Sequence, residues 1–155
     1  MPGFVADASA TLPWCFAEEA TPATEALLER LRAGEPAVVP AHRSTEVMNG
    51  LIMAVRRSRI DLERVARFAR DLAALPIRIE PPHGPAVWDA VIRVATEHQL
   101  TVYDAAYLEL AQRTGLPLAT LDGDLRKAAL AASVALVETR ARTCWPRPRR
   151  SWRLC

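Results

Sequence analysis

Residues 101–111 read TVYDAAYLELA and, beyond Gly115, residues 118–129 read LATLDGDLRKAA. The first stretch has helical periodicity: Asp104, Leu108 and Ala111 fall on one face, with Tyr103, Tyr107 and Leu110 on the adjacent one. The second starts as a short apolar strand, LATL (118–121), and turns into a helix, DLRKAALAA (124–132). Helix, strand and helix in succession are the signature of an α/β domain built on a parallel sheet. Acids stand at the helix starts. Taken singly, Asp104 reads as an N-cap, Asp122 before Gly123 as a turn residue, and Asp124 as a cap for the last helix. Their meaning depends on where the other carboxylates of the chain fall.

Working outward, FVADA (4–8), AVVP (37–40), IRIE (77–80) and VALVE (134–138) are further strand candidates. A helix is expected from Thr21-Pro22 to a stop at Gly34, since proline suits a first helical turn and glycine a terminus. STEVMNGLIMAVRRSR carries an amphipathic stripe of Val47, Met48, Leu51, Ile52 and Val55, weakened at Gly50 by about 1 kcal/mol relative to alanine. Asp61 caps a helix whose face runs through Val65, Phe68, Leu72 and Leu75 and which Pro76 ends. Pro85 opens another, with Val87, Trp88, Val91, Ile92 and Ala95 as its stripe. The alternation predicts a single α/β domain over residues 1–139, with a central parallel sheet of about five strands flanked by helices on both faces. Residues 140–155, RARTCWPRPRRSWRLC, are rich in Arg, Pro and Trp and without periodicity, which predicts an irregular extension.

The chain has 155 residues, half of them hydrophobic, enough for one well-filled core. No basic-then-apolar leader opens it, and its most apolar run, AALAASVALV, is too short to span a bilayer. The expectation is a cytoplasmic protein with no membrane association. Three scattered cysteines (Cys15, Cys144, Cys155) and three isolated histidines (His42, His83, His98) form neither a disulfide framework nor a zinc pattern. Six of the 20 basic residues lie in 140–155, which holds no acid; the rest of the chain has 14 basic against 18 acidic residues. The body is therefore mildly acidic and offers no general attraction to nucleic acid.

Four acids fall at comparable places. Asp7 closes the first strand, Glu46 lies in the first turn of the helix after AVVP, Asp104 opens its helix, and Asp122 follows LATL. In open parallel sheets, ligand sites form outside the carboxyl ends of the strands. Carboxylates gathered there repel one another unless some are protonated or a cation lies among them. Oxygen-only ligands select Mg²⁺ or Mn²⁺ over zinc. No Ser–His or Cys–His arrangement and no Gly-rich phosphate loop competes with this reading.

VADAS, STEVMNGL, TVYDAAYLELA and LATLDGDLRKAA resemble, in order and spacing, the four acidic motifs of PIN domains, with the nearest likeness to the VapC-type toxins of bacterial toxin–antitoxin modules. The resemblance covers residues 3–139. It implies a Mg²⁺- or Mn²⁺-dependent endoribonuclease, a homodimer, and a cognate VapB-type antitoxin as inhibitor. On this resemblance Asp7, Glu46, Asp104 and Asp122 are the catalytic, metal-binding acids, with Asp124 as a variable fifth. Ser9 and Thr120 match hydroxyl positions that line such sites, where Thr120 would orient Asp122 or a metal-bound water. Arg56, Arg57 and Arg59 are the best local cluster for RNA phosphates, though basic residues also suit a helix C-terminus for its dipole alone. The alternative is a non-catalytic PIN-like module that binds RNA or a protein without cutting. The 140–155 extension stands outside the family pattern.

Overall fold

The computed structural model describes residues 3–81 and 84–137. The 140–155 extension and Glu138 lie outside the described residues. Four parallel strands, β1 (Phe4–Ala6), β2 (Ala37–Pro40), β3 (Ile77–Glu80) and β4 (Leu118–Ala119), form a sheet in the order β3-β2-β1-β4. The first strand is central, with Val5 in register with both Val38 and Leu118. Of the fifth strand expected at VALVE, one bridge remains among the described residues: Leu136 pairs in parallel with Leu118. A ladder needs several successive pairs, and β4 offers only two residues before it turns into a loop.

Side chains alternate across the sheet, so each strand feeds two cores. Phe4, Ala6, Ala37 and Val39 pack on one face with α1 (Ala8–Thr11), α2 (Pro22–Arg32), α3 (Arg43–Arg56) and α4 (Leu62–Ala73). Val5, Val38 and Leu118 pack on the other with α5 (Pro85–His98), α6 (Val102–Thr114) and α7 (Gly123–Ala131). The expected layers, helices on both faces of a parallel sheet, are thus present. Among the described residues no helix is long and apolar enough to cross a membrane.

Local signals explain the helix ends. Thr21 and Thr24 form a reciprocal capping box around Pro22, and Asp61 accepts the Arg64 amide at 2.7 Å. Gly115 closes α6 at φ +66, a left-handed position that glycine takes without strain. Gly50 has a packing reason: a Cβ there would meet Leu12 Cδ1 at 2.8 Å. Two expectations change. The cap of α6 is Thr101, whose hydroxyl accepts the Asp104 amide at 3.1 Å, so Asp104 lies in the first turn. On α5 the buried residues are Val91 and Val94, while Trp88 and Ile92 of the expected stripe are 61% and 58% exposed. With Val87, Val102 and Leu110 they line an apolar groove between α5 and α6.

Candidate active site

Asp7, Glu46 and Asp122 stand beyond the carboxyl ends of β1, β2 and β4, where each strand delivers the chain to a helix start, whereas Asp104 comes from the first turn of α6, which follows α5. Asp7 follows β1 directly and is 4% exposed. Its position is dictated by α1, which it caps: Oδ1 accepts the Ala10 amide at 2.9 Å. Ser9 donates to the same carboxylate at 2.8 Å, and Thr120, arriving from β4, donates to Oδ2. The two hydroxyls also receive backbone amides, Leu121 N–H on Ser9 Oγ at 2.9 Å and Asp122 N–H on Thr120 Oγ1 at 3.0 Å. Ser9 and Thr120 thereby staple the end of β1 to the loop after β4. Asp122 is tied in through its backbone, and its own Oδ1 caps α7 on the Leu125 amide at 2.8 Å.

The other half of the site comes from helix first turns. Glu46, on α3, accepts a hydrogen bond from the Tyr107 hydroxyl of α6. His42 Nε2 lies 3.6 Å from the same carboxylate, and the His42 ring packs edge-on against Tyr107, with centroids 5.1 Å apart. Asp104 is partly buried and accepts from the Thr101 hydroxyl at 2.7 Å.

Electrostatics join the two halves. Burial pushes the Asp7 carboxyl above the usual aspartate range; Thr120, Ala10 and Ser9 pull it back by hydrogen bonding, and the negative field of Asp104 raises it further. Tyr107 is driven far above the ordinary phenol range, first by burial and then by Glu46, so it stays a hydrogen-bond donor. Asp7 and Glu46 both bear on Tyr107 and on the buried Arg43, which places them around one centre.

The donors are all oxygen, the chemistry that suits a hard divalent cation. As the side chains stand, no three Asp, Glu, His or Cys residues among the described ones are grouped closely enough to hold a metal ion. Asp7 lies within the field of Asp104. A pair of carboxylates fits Mg²⁺, which keeps several waters and commonly takes one or two carboxylates plus substrate phosphates. Asp124 stands apart, 82% exposed and paired with Lys127 at 3.2 Å. The arginines are also separate from the acids. Arg59 pairs with Glu18 and Glu19 and stacks on Phe16 at 4.3 Å, Arg56 contacts Met53, and Arg57 ends α3.

Sequence reasoning missed Arg43, Tyr107 and His42 as neighbours of the acids. The signal for Tyr107 was present: it lies one turn from Asp104 on α6. For Arg43 the signal was its place three residues before Glu46.

The PIN domain family matches residues 4–130. The chain is 36% identical over 121 residues to the Ribonuclease VapC12 of Mycobacterium tuberculosis (strain CDC 1551 / Oshkosh), an alignment covering 78% of this chain and 88% of that protein. It is 36% identical over 81 residues to the Exonuclease VapC9 of Pyrobaculum aerophilum, covering 52% and 57%. Its fold is similar to the crystal structure of PAE2754 from Pyrobaculum aerophilum, with a TM-score of 0.63, 26% identity, and coverage of 82% and 79%. A family match over most of the chain and a relative at this identity lead to one assignment: the chain belongs to the PIN-domain family, as a protein of the VapC type.

Proposed function

We propose that this VapC-type protein is a ribonuclease that cuts RNA internally, with Asp7, Glu46, Asp104 and Asp122 as its catalytic acids and Mg²⁺ or Mn²⁺ as its cofactor. The observation that carries the reading is Asp7 itself: a buried carboxylate at the end of the central strand, held above its normal pKa with a second acid in its field. Groups perturbed in this way concentrate at functional sites. VapC-type PIN nucleases are typically metal-dependent. In this reading Asp7 and Asp104 hold the cation, and Glu46 and Asp122 flank it; Asp124 is the outermost acid and the least engaged. When bound, a divalent ion lowers the pKa of a coordinated water and neutralises charge on a phosphoryl oxygen.

The chain's own residues supply the rest. Ser9, Ala10 and Thr120 fix the Asp7 carboxylate before any ligand arrives, so no reorganisation is needed there. Thr120 passes that order to the Asp122 backbone. Tyr107 keeps Glu46 from swinging into solvent. Arg56, Arg57 and Arg59 are the candidate phosphate contacts of the body, Arg59 being the most committed to internal ion pairs.

The biological role that accompanies this activity is that of a toxin restrained by a VapB-type antitoxin, acting as a homodimer inside the cell. The nuclease domain is residues 1–139, and 140–155 form an extension to it. The likeness to VapC12 supports the toxin role. The competing reading, a PIN-like module that binds without cutting, draws on the wide spacing of the acids. Cleavage of a defined RNA with and without Mn²⁺ separates the two. Metal-dependent cuts within a circular RNA, lost in Asp104→Asn, are expected; full activity of a folded Asp104→Asn protein contradicts the assigned site.

A further inference from the structure

Arg43 is the first residue of α3 and only 5% exposed, in a place where a lone cation is costly. Its Nη2 donates to Thr11 Oγ1 at 2.8 Å, and that hydroxyl donates to the Asp7 backbone oxygen at 3.0 Å. Its Nε is buried without a hydrogen-bond partner. None of the described carboxylates forms a direct ion pair with it, although Asp7 and Glu46 are near enough for their fields to act on it. A structural salt bridge would close on a carboxylate and satisfy the guanidinium. This one stops short of the acid oxygens.

We propose that Arg43 is the resident counter-charge of the acidic site, compensating Asp7 and Glu46 in the metal-free protein and competing electrostatically with the incoming divalent cation. The inference rests on the metal-site reading above. It accounts for the three oddities of Arg43 together: its burial beside acids, its unsatisfied Nε, and its anchor on Thr11, which links the guanidinium to the Asp7 backbone oxygen and not to the carboxylate. The cation and Arg43 repel one another, so the protein exchanges some metal affinity for an acidic site that is stable when empty.

A merely structural arginine predicts the opposite sign. Removing a structural support loosens the site and weakens metal binding; removing a counter-charge tightens it. The test is calorimetric titration of the full chain with Mn²⁺, comparing wild type with Arg43→Gln and Arg43→Lys, alongside metal-free melting temperatures. Arg43→Gln is expected to bind Mn²⁺ about tenfold more tightly, by loss of one repelling charge at short range, and to melt lower without metal. Arg43→Lys, which keeps the charge, is expected to stay near the wild-type affinity. If Arg43→Gln does not fold alone, Mn²⁺ is expected to restore its native circular dichroism. Unchanged or weaker Mn²⁺ binding by folded Arg43→Gln overturns the role of Arg43 while leaving the metal site intact, as does an unfolded variant that Mn²⁺ does not restore. Absence of Mn²⁺ binding by the wild type overturns both this inference and the metal-site reading.

Discussion

The two halves of the acidic edge are built differently. At the strand ends, Asp7 accepts from Ser9, Ala10 and Thr120, and the same hydroxyls anchor the loop that carries Asp122. At the helix starts, Asp104 is held by its own cap, Thr101, and Glu46 by Tyr107 and a neighbouring His42. The first half is a cross-linked network spanning residues more than a hundred positions apart; the second consists of single contacts to side chains. A buried acid must have its lone pairs satisfied, whereas a partly exposed one can rely on water. On the proposed reading, the strand half supplies rigidity and the helix half supplies carboxylates that can adjust to a cation.

Substitutions that break the strand half should have the largest effects. Asp7→Asn is expected to lower RNA cleavage by on the order of 10³-fold, at the upper end of what one preorganised polar group contributes. The fold should survive, because a neutral isostere relieves a buried charge. Linkage gives this a pH signature. The folded pKa of Asp7 lies above its reference value of 3.8, so its contribution to stability is full below that value and is lost as pH rises through the folded pKa. Metal-free wild type should thus fall progressively behind Asp7→Asn in melting temperature across that rise. A constant difference between the two would show that burial does not perturb the group.

Thr120→Val removes the hydroxyl that bridges Asp7 and the Asp122 amide. Activity should drop about 10- to 100-fold, as when a partner that orients a metal ligand is lost. Stability should fall by about 1–3 kcal/mol in a denaturant titration, because a buried acceptor and donor lose their partner. On the helix half, Tyr107→Phe frees Glu46 and should cost about 1 kcal/mol of stability, with a smaller loss of cleavage than Thr120→Val. An equal or larger loss would mean that the helix half carries the rigidity. The smallest effect belongs to Asp124→Asn: with its side chain in solvent, cleavage should stay within about twofold of wild type.

The contrast also marks what was legible in the sequence. Capping residues and helical stripes act over a few positions, and Thr21, Asp61 and Gly115 sit where pattern reading puts them. The alternating order of strands and helices carried the layered fold and the strand ends that Asp7 and Asp122 follow. Several features depended on contacts that no local pattern encodes. Thr101 takes the cap of α6 because its hydroxyl reaches the Asp104 amide, a choice between neighbours of similar propensity. Trp88 and Ile92 fit the apolar period of α5 as well as Val94 does, and only the position of α6 decides which side faces the core. Among the described residues the last strand is reduced to the Leu136 bridge, since β4 offers it only two residues. Arg43 carried only its spacing to Glu46 as a signal; an arginine at a helix start otherwise reads as solvent-exposed, and its hydrogen bond to Thr11, on a different helix, is a contact no local pattern encodes.

The central claim is that a divalent cation binds where these two halves meet. Anomalous diffraction from crystals soaked in Mn²⁺ tests it directly. A peak between the Asp7 and Asp104 carboxylates, absent in Asp7→Asn crystals, is the predicted result. A Mn²⁺ peak elsewhere on the molecule, with RNA cleavage retained in Asp7→Asn, would contradict it.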